Sequence, residues 1–381
     1  MSDRKRVMVA FGTRPEAIKM APLCHALLRD PKSFETIVCV TGQHRDMLDQ
    51  VLRTFDLSPT IDLDVMRHGQ DLAEVTSAVL IRMRDVLSTH RPDVLLVHGD
   101  TTTSMAAALA GFYLNIPIAH VEAGLRTFDL AAPFPEEFNR QVAGKLASIH
   151  FAPTEQSRQN LLREGVRNSQ IHVTGNTVID SLRWILRRIN DDPVRLAALQ
   201  SSIDKALCFD WRHSRFVLVT GHRRENFGAG FLQICRALTQ LAADFPDVHF
   251  VYPVHLNPNV LGPVTELLTG LANVHLISPQ EYEPFVMLLQ HCHLVLTDSG
   301  GIQEEAPGLG KPVLVMRDVT ERPEAIAAGT VRLVGANQQR IIDGVSTLLA
   351  HEVEHLTMCR AHNPYGDGHA CSRIVEVLKA I

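Results

Sequence analysis

The stretch Thr297-Asp298-Ser299-Gly300-Gly301-Ile302-Gln303-Glu304-Glu305-Ala306 sets a hydroxyl and two adjacent glycines ahead of a carboxylate. An apolar run, Leu294-Val295-Leu296, precedes it and reads as a buried strand. The residues after the glycines read as a helix. Paired glycines let backbone N–H groups approach a ligand closely, and a helix N-terminus favours an anion. Ser299 adds a donor. Glu305, about one turn on, can accept hydrogen bonds from two adjacent hydroxyls. Phosphates at the front and a diol behind are the chemistry of a nucleoside diphosphate. A plain tight turn between strand and helix uses the same residue types.

Other strand ends carry further polar groups. The first strand runs into Phe11-Gly12-Thr13-Arg14-Pro15-Glu16-Ala17-Ile18-Lys19. Thr13 with Glu16 fits a capping box, and Pro15 fits a first helical turn. Arg14 and Lys19 supply cations where open α/β sheets bind ligands; a solvated helix face is the alternative for Lys19. Three carboxylates follow. Asp100 stands in His98-Gly99-Asp100-Thr101-Thr102-Thr103 and Glu122 in His120-Val121-Glu122-Ala123-Gly124-Leu125-Arg126. Glu136 is read as lying in a loop, Pro133-Phe134-Pro135-Glu136-Glu137-Phe138-Asn139-Arg140, with Glu137 a solvated neighbour. Strand-end carboxylates facing one crevice suit general acid–base work. Asp100 as a helix cap is the plainer possibility. In the second half, His222 ends a strand in Thr220-Gly221-His222-Arg223-Arg224-Glu225-Asn226. Gln280 and Phe285 follow another strand and could hold a uracil base, and Arg322 is one more strand-end cation.

Several chemistries find no support. The 19 histidines include no HExxH pair and no Cys/His zinc spacing. His291-Cys292-His293 leads into an apolar strand and reads as packing. Gly308-Leu309-Gly310-Lys311-Pro312 lacks the earlier Gly and the Ser/Thr of a phosphate-binding P-loop, and no G-x-G-x-x-G follows a strand. ATP chemistry and a bound NAD are therefore not expected, and no cofactor or metal is assigned. A formal charge of -5 argues against a nucleic-acid surface. The seven scattered cysteines form no CxxC pair and fit reduced thiols. No secretory leader or membrane span is read, so a cytoplasmic protein is expected.

These residues need elements to carry them. Apolar runs at 7–11, 36–41, 94–98, 116–121, 149–152 and 171–174 form one series of strands. Runs at 216–220, 249–253, 274–277, 294–297, 313–316 and 331–334 form a second. Helical patterns, such as 101–113 and 230–244, lie between them. Continuous apolar strands joined by helices mean parallel sheets covered on both faces. The fold class is thus α/β with two doubly wound, Rossmann-like domains facing a central cleft. The first spans 1–175 and is rejoined by a C-terminal helix at 369–381; the second spans 176–368. A helix is read at 178–192, and residues 193–214 are polar and less regular.

Taken together, the runs at 11–16, 98–103, 120–126, 221–225, 252–258, 298–307, 320–324 and 363–368 resemble the non-hydrolysing UDP-N-acetylglucosamine 2-epimerases. The resemblance covers nearly the whole chain. It implies the two-domain architecture of GT-B glycosyltransferases, a homodimer, and interconversion of UDP-GlcNAc and UDP-ManNAc for bacterial surface polysaccharides. It also implies that Arg14, Lys19, Asp100, Glu122, His222, Gln280, Phe285, Ser299, Gly300, Gly301, Glu305 and Arg322 line the substrate site. Asp100, Glu122, Glu136 and His222 become the catalytic candidates. Gln43, His44 and His255 match positions linked to allosteric activation by a second UDP-GlcNAc; Asp46 and Gly69 depart from some members nearby. A glycosyltransferase, a hydrolysing epimerase and an inactive UDP-sugar-binding regulator are the alternatives.

Overall fold

The computed structural model describes residues 4–42, 45–67 and 69–381. Its contacts divide the chain into two units, Met1–Trp184 with Tyr365–Ile381, and Ile185–Pro364. In the first, β1 (Lys5–Phe11), β2 (Phe34–Val40), β3 (Ile61–Asp62), β4 (Val94–His98), β5 (Ile118–Val121), β6 (Ile149–Ala152) and β7 (Ile171–Val173) form one parallel sheet in the order β3-β2-β1-β4-β5-β6-β7. In the second, β8 (Phe216–Thr220), β9 (His249–Pro253), β10 (Val274–Ile277), β11 (Leu294–Thr297), β12 (Val313–Val315) and β13 (Val331–Leu333) form another, ordered β10-β9-β8-β11-β12-β13. All pairings are parallel. This is the α/β, doubly wound class read from the apolar runs.

The strand order reverses once in each sheet, between β1 and β4 and between β8 and β11. Chains leaving neighbouring strands there turn to opposite faces and open a crevice at the carboxyl edge. Central strands such as β4 are buried along their whole length, as expected for sheets covered twice. Met8, Leu95 and Val97 pack with Met83 and Leu87 in the first core; Val217, Leu294 and Leu314 pack with Leu238 and Val345 in the second. Among the described residues no helix is long and apolar enough to cross a membrane.

Two elements differ from the sequence expectation. β3 has only two residues, too short for an alternation signal. Residues 193–206, expected to be irregular, form the helix Pro193–Ala206. Asp192 caps it by accepting from the amides of Val194 and Arg195, and Pro193 takes its first position. Only Ile203 of that helix is buried, so it has no apolar stripe to read. The helix Thr177–Asn190 runs unbroken across the division between units. The last helix, Ala370–Ala380, belongs to the first unit, where Asp180 accepts from the amides of Ala370 (3.1 Å) and Cys371 (3.0 Å).

Candidate active site

In the first unit the reversal point is built around Glu16. This residue caps its own helix, Arg14–Leu28, in the box anticipated from Thr13. Its side chain is buried and does more than cap. Oε2 accepts from the amides of Gly12 (3.0 Å) and Thr13 (2.8 Å), while Oε1 meets the hydroxyls of Thr101 (2.6 Å) and Ser104 (3.0 Å). The loop after β1 and the loop after β4 are thereby tied to one carboxylate. Burial raises its pKa, and these hydrogen bonds act against that. Arg14 follows at the helix start, partly buried, and carries no ion pair among the described residues.

Asp100 comes one residue before the cap of the next helix, a role Thr101 fills. The Asp100 carboxylate pairs with the buried Arg140 guanidinium, and its carbonyl accepts from the Asn139 side chain (3.0 Å). Glu122 follows β5 with φ of +61°, a left-handed conformation uncommon outside glycine. Its carboxylate pairs with Lys19 and accepts from Asn176 Nδ2 (2.8 Å), with His98 Nε2 at 3.8 Å. Lys19 is buried in this pair and is not on a solvated face. Gly124 turns the same loop at φ of +92°; a Cβ there would lie 2.3 Å from the Ser157 carbonyl oxygen, so only glycine fits.

Glu136 is the first residue of the helix Glu136–Leu146 and does not lie in a loop. It makes no hydrogen bond or ion pair among the described residues and is partly exposed. Glu137, expected to be solvated, is fully buried. It accepts from the amides of Thr127 (3.0 Å) and Phe128 (3.1 Å) and from Gln141 (2.8 Å), and it pairs with Arg140 (3.2 Å). It thus secures the loop after Glu122 and the guanidinium that holds Asp100.

In the second unit, β8 and β11 pair Thr220 with Thr297 at the reversal point. Beyond Thr297 the chain turns through Ser299, Gly300 and Gly301 into the short helix Ile302–Gly308. A Cβ on Gly300 would lie 2.7 Å from the Arg322 guanidinium and 2.9 Å from Glu321 Oε1. A Cβ on Gly301 would meet nothing within 4 Å. The backbone is therefore covered at one glycine and open at the next. Arg322 is buried, donates from Nε to Glu304 (2.7 Å) and pairs with Glu321. Burial raises the Glu321 pKa, but Arg322 and Arg317 outweigh it and hold the carboxyl down at about 2.

Glu305, one turn into the helix, accepts from the buried Tyr282 hydroxyl at 3.0 Å. Tyr282 opens the helix Tyr282–His291, which also carries Phe285, partly buried; Gln280 precedes it and donates to the Ser278 carbonyl (2.7 Å). His222, just past β8, stacks on His255 with centroids 5.3 Å apart. Burial lowers the His222 pKa, and the nearby Asp298 carboxylate partly restores it. His291-Cys292-His293 is packing as read: Cys292 is fully buried and the His293 ring stacks on His355 at 3.8 Å. No group of three metal-ligating side chains occurs among the described residues, and all seven cysteines are free thiols. Gln43 and His44 lie outside the described residues.

Glu16, Asn176, Arg140, Tyr282 and Asp298 are supporting residues that strand-end patterns do not single out. Arg140 and Asp298 lie inside runs already marked by their neighbours. Asn176 and Tyr282 act on carboxylates far away in sequence.

A family model described as UDP-N-acetylglucosamine 2-epimerase matches residues 26–379. The chain is 59% identical over 374 residues to the UDP-N-acetylglucosamine 2-epimerase of Yersinia pestis, covering 98% of both. It is 59% identical over 377 residues to that of Escherichia coli K12, again covering 98% of both. Among solved structures, the UDP-GlcNAc 2-epimerase of Neisseria meningitidis bound to UDP-GlcNAc superposes with a TM-score of 0.91 at 48% identity, covering 99% of this chain and 100% of that one. The Methanocaldococcus jannaschii enzyme in complex with UDP-GlcNAc and UDP gives 0.82 at 32% identity, with coverage of 99% and 100%.

Proposed function

The chain belongs to the UDP-N-acetylglucosamine 2-epimerase family, and we propose that it interconverts UDP-GlcNAc and UDP-ManNAc without hydrolysis, by expelling and re-adding UDP. The C2 proton of the sugar is not next to a carbonyl, so simple deprotonation is too costly. In the proposed route a carboxylate takes the C2 proton while the C1–oxygen bond breaks, its electron pair leaving with UDP. The intermediate is 2-acetamidoglucal. UDP then adds back at C1 and a proton is delivered to the opposite face of C2.

Within this route Asp100, Glu122 and Glu136 act on protons, with His222 beside the departing group. Arg14, the Ser299 hydroxyl and the Gly300-Gly301 amides hold the diphosphate, with Lys19 and Arg322 as further cations. Glu305 takes the ribose, and Gln280 with Phe285 the uracil. Preorganised donors of this kind stabilise charge on a leaving group without reorganising. The observation that best supports the assignment is the open backbone at Gly301, beside Ser299 and backed by an oriented Glu305.

The test is incubation of UDP-GlcNAc with the protein alone in D₂O. Both epimers should appear without added metal or NAD and carry deuterium at C2. Free ManNAc as the main product, or a strict need for an acceptor, would overturn the proposal.

The proposal extends to a cytoplasmic homodimer that supplies surface polysaccharide synthesis. UDP-GlcNAc would also activate it through Gln43, His44 and His255. Light scattering reads the assembly. Pure UDP-ManNAc turning over without a lag would remove the activation.

A further inference from the structure

Asp298 has a surrounding that its place in the glycine-rich turn does not require. It is fully buried at the end of β11. Oδ2 accepts three donors across the reversal point: the amides of His222 (2.9 Å) and Arg223 (2.9 Å) and the side chain of Asn226 (3.2 Å). Oδ1 is equally buried and has no hydrogen-bond partner among the described residues. A buried acceptor without a donor is costly and calls for a physical explanation. The group beside it is His222 Nδ1, at 3.7 Å. That separation is ion-pair reach; closing it by about 0.7 Å makes an ordinary hydrogen bond.

We propose that Asp298 is a positioning residue for His222: it fixes the imidazole with its hydrogen on Nδ1, turns Nε2 outward, and supports the imidazolium formed when Nε2 takes a proton. The geometry follows the division of labour in other carboxylate–histidine pairs, where the carboxylate sets tautomer and orientation and stays ionised. The His222 side chain is 44% exposed while Asp298 is wholly enclosed, so the Nδ1 edge of the ring meets the carboxylate while part of the side chain stays accessible. The charged and titratable groups acting on His222 are Asp298, Arg223 and the stacked His255. Arg223 and His255 both disfavour a positive ring; Asp298 opposes them. Ser299 is the next residue, so the group assigned to the diphosphate and the group that steadies the imidazole are neighbours in the chain. What the proton is exchanged with, the departing or returning UDP oxygen, rests on the epimerase proposal above. The pairing of Asp298 with His222 does not.

The test is Asp298→Asn in the full-length protein, read by ¹⁵N NMR of the histidine rings, with His222 assigned by difference against His222→Gln. In the unsubstituted protein, neutral His222 should carry its hydrogen on Nδ1. The asparagine oxygen can still accept the three donors of the β8 loop, while its amide now faces Nδ1 and forces the hydrogen to Nε2. The His222 pKa should fall by about one unit or more, because an opposite charge within reach has gone. Turnover should drop by about 10²-fold or more, with UDP affinity changed little and the pH–rate limb moved in the same direction as the titration. An Nε2–H tautomer in the unsubstituted protein would overturn the proposal, whether or not the variant folds. So would an unchanged His222 titration in a folded Asp298→Asn variant. A protein that gives the predicted NMR result but no epimerisation would sink the functional assignment and leave the pairing intact.

Discussion

Asp100, Glu122 and Glu136 are three carboxylates in three different settings. Asp100 is held by Arg140, Glu122 by Lys19 and Asn176, and Glu136 stands partly exposed at a helix start. Asp100→Asn, Glu122→Gln and Glu136→Gln should each cut epimerisation by about 10²–10⁴-fold while UDP affinity holds. Loss of C2 exchange in D₂O picks out the residue that removes the proton. Arg14→Ala should weaken UDP binding as well as turnover, because that cation has no ion-pair partner among the described residues. Near-normal exchange in all three carboxylate variants would move the base to His222. Tyr282 makes a finer prediction. Its hydroxyl fixes Glu305 at 3.0 Å, and an oriented carboxylate reads the ribose diol better than a loose one. Tyr282→Phe should narrow the affinity gap between UDP and 2′-deoxy-UDP by about 1 kcal/mol, measured by calorimetry. An unchanged gap would separate Tyr282 from ribose recognition. At this scale the sequence is legible where a polar side chain directly follows a strand, as at Arg14, Asp100, Glu122, His222 and Ser299. It is silent where a side chain is held from afar: Asn176 meets Glu122 across 54 residues, and Glu16 meets Ser104 across 88.

Glu16 makes the loops after β1 and β4 act as one element. Removing its carboxylate leaves the Gly12 and Thr13 amides buried without acceptors, at about 1–3 kcal/mol for such a group. Glu16→Ala should therefore lower the melting temperature and displace Arg14 and Asp100 together, so that UDP affinity and turnover fall in step. The same residue has a pH signature. Burial raises its folded-state pKa above the ordinary value of 4.5. A carboxyl shifted upward binds its proton more tightly when folded, so its contribution is greatest below the ordinary value. That contribution declines as pH climbs through the window up to the raised one. Thermal melts across this window should show the stability difference between the parent and Glu16→Gln moving in favour of the glutamine variant as pH rises. A flat difference would mean the folded carboxyl titrates normally. The capping box was readable from Thr13 and Glu16 because it is local; the reach to Thr101 and Ser104 was not, because it depends on β1 and β4 lying side by side. The helix Pro193–Ala206 was missed for the opposite reason: its caps are local, but its exposed face carries no period.

For the molecule as a whole, the alternation of apolar runs and helices was enough to read two parallel sheets, because strands buried on both faces are nearly continuous in apolar residues. The return of the last helix was legible only as a short amphipathic segment after a turn-rich stretch. Its importance lies in what it covers. Cys24, on the helix Arg14–Leu28, is fully buried, and Cys371 on the returning helix is nearly so. Burial, the first cause in each case, pushes the Cys24 thiol up to about 12 and raises that of Cys371 well above its ordinary value. Deleting residues 365–381 should expose Cys24 to thiol reagents within the folded population and lower the melting temperature. Continued protection of Cys24 in the truncated protein would show that the helix is dispensable to that core.

The first unit is made of both ends of the chain, with Ile185–Pro364 inserted between them. A growing polypeptide therefore completes the second unit before the first. At about 5–20 residues per second, the roughly 200 residues after Trp184 take some ten to forty seconds to synthesise. Throughout that time the helix Arg14–Leu28 lacks the segment that closes over it, and it keeps an apolar face available to chaperones until that segment is made.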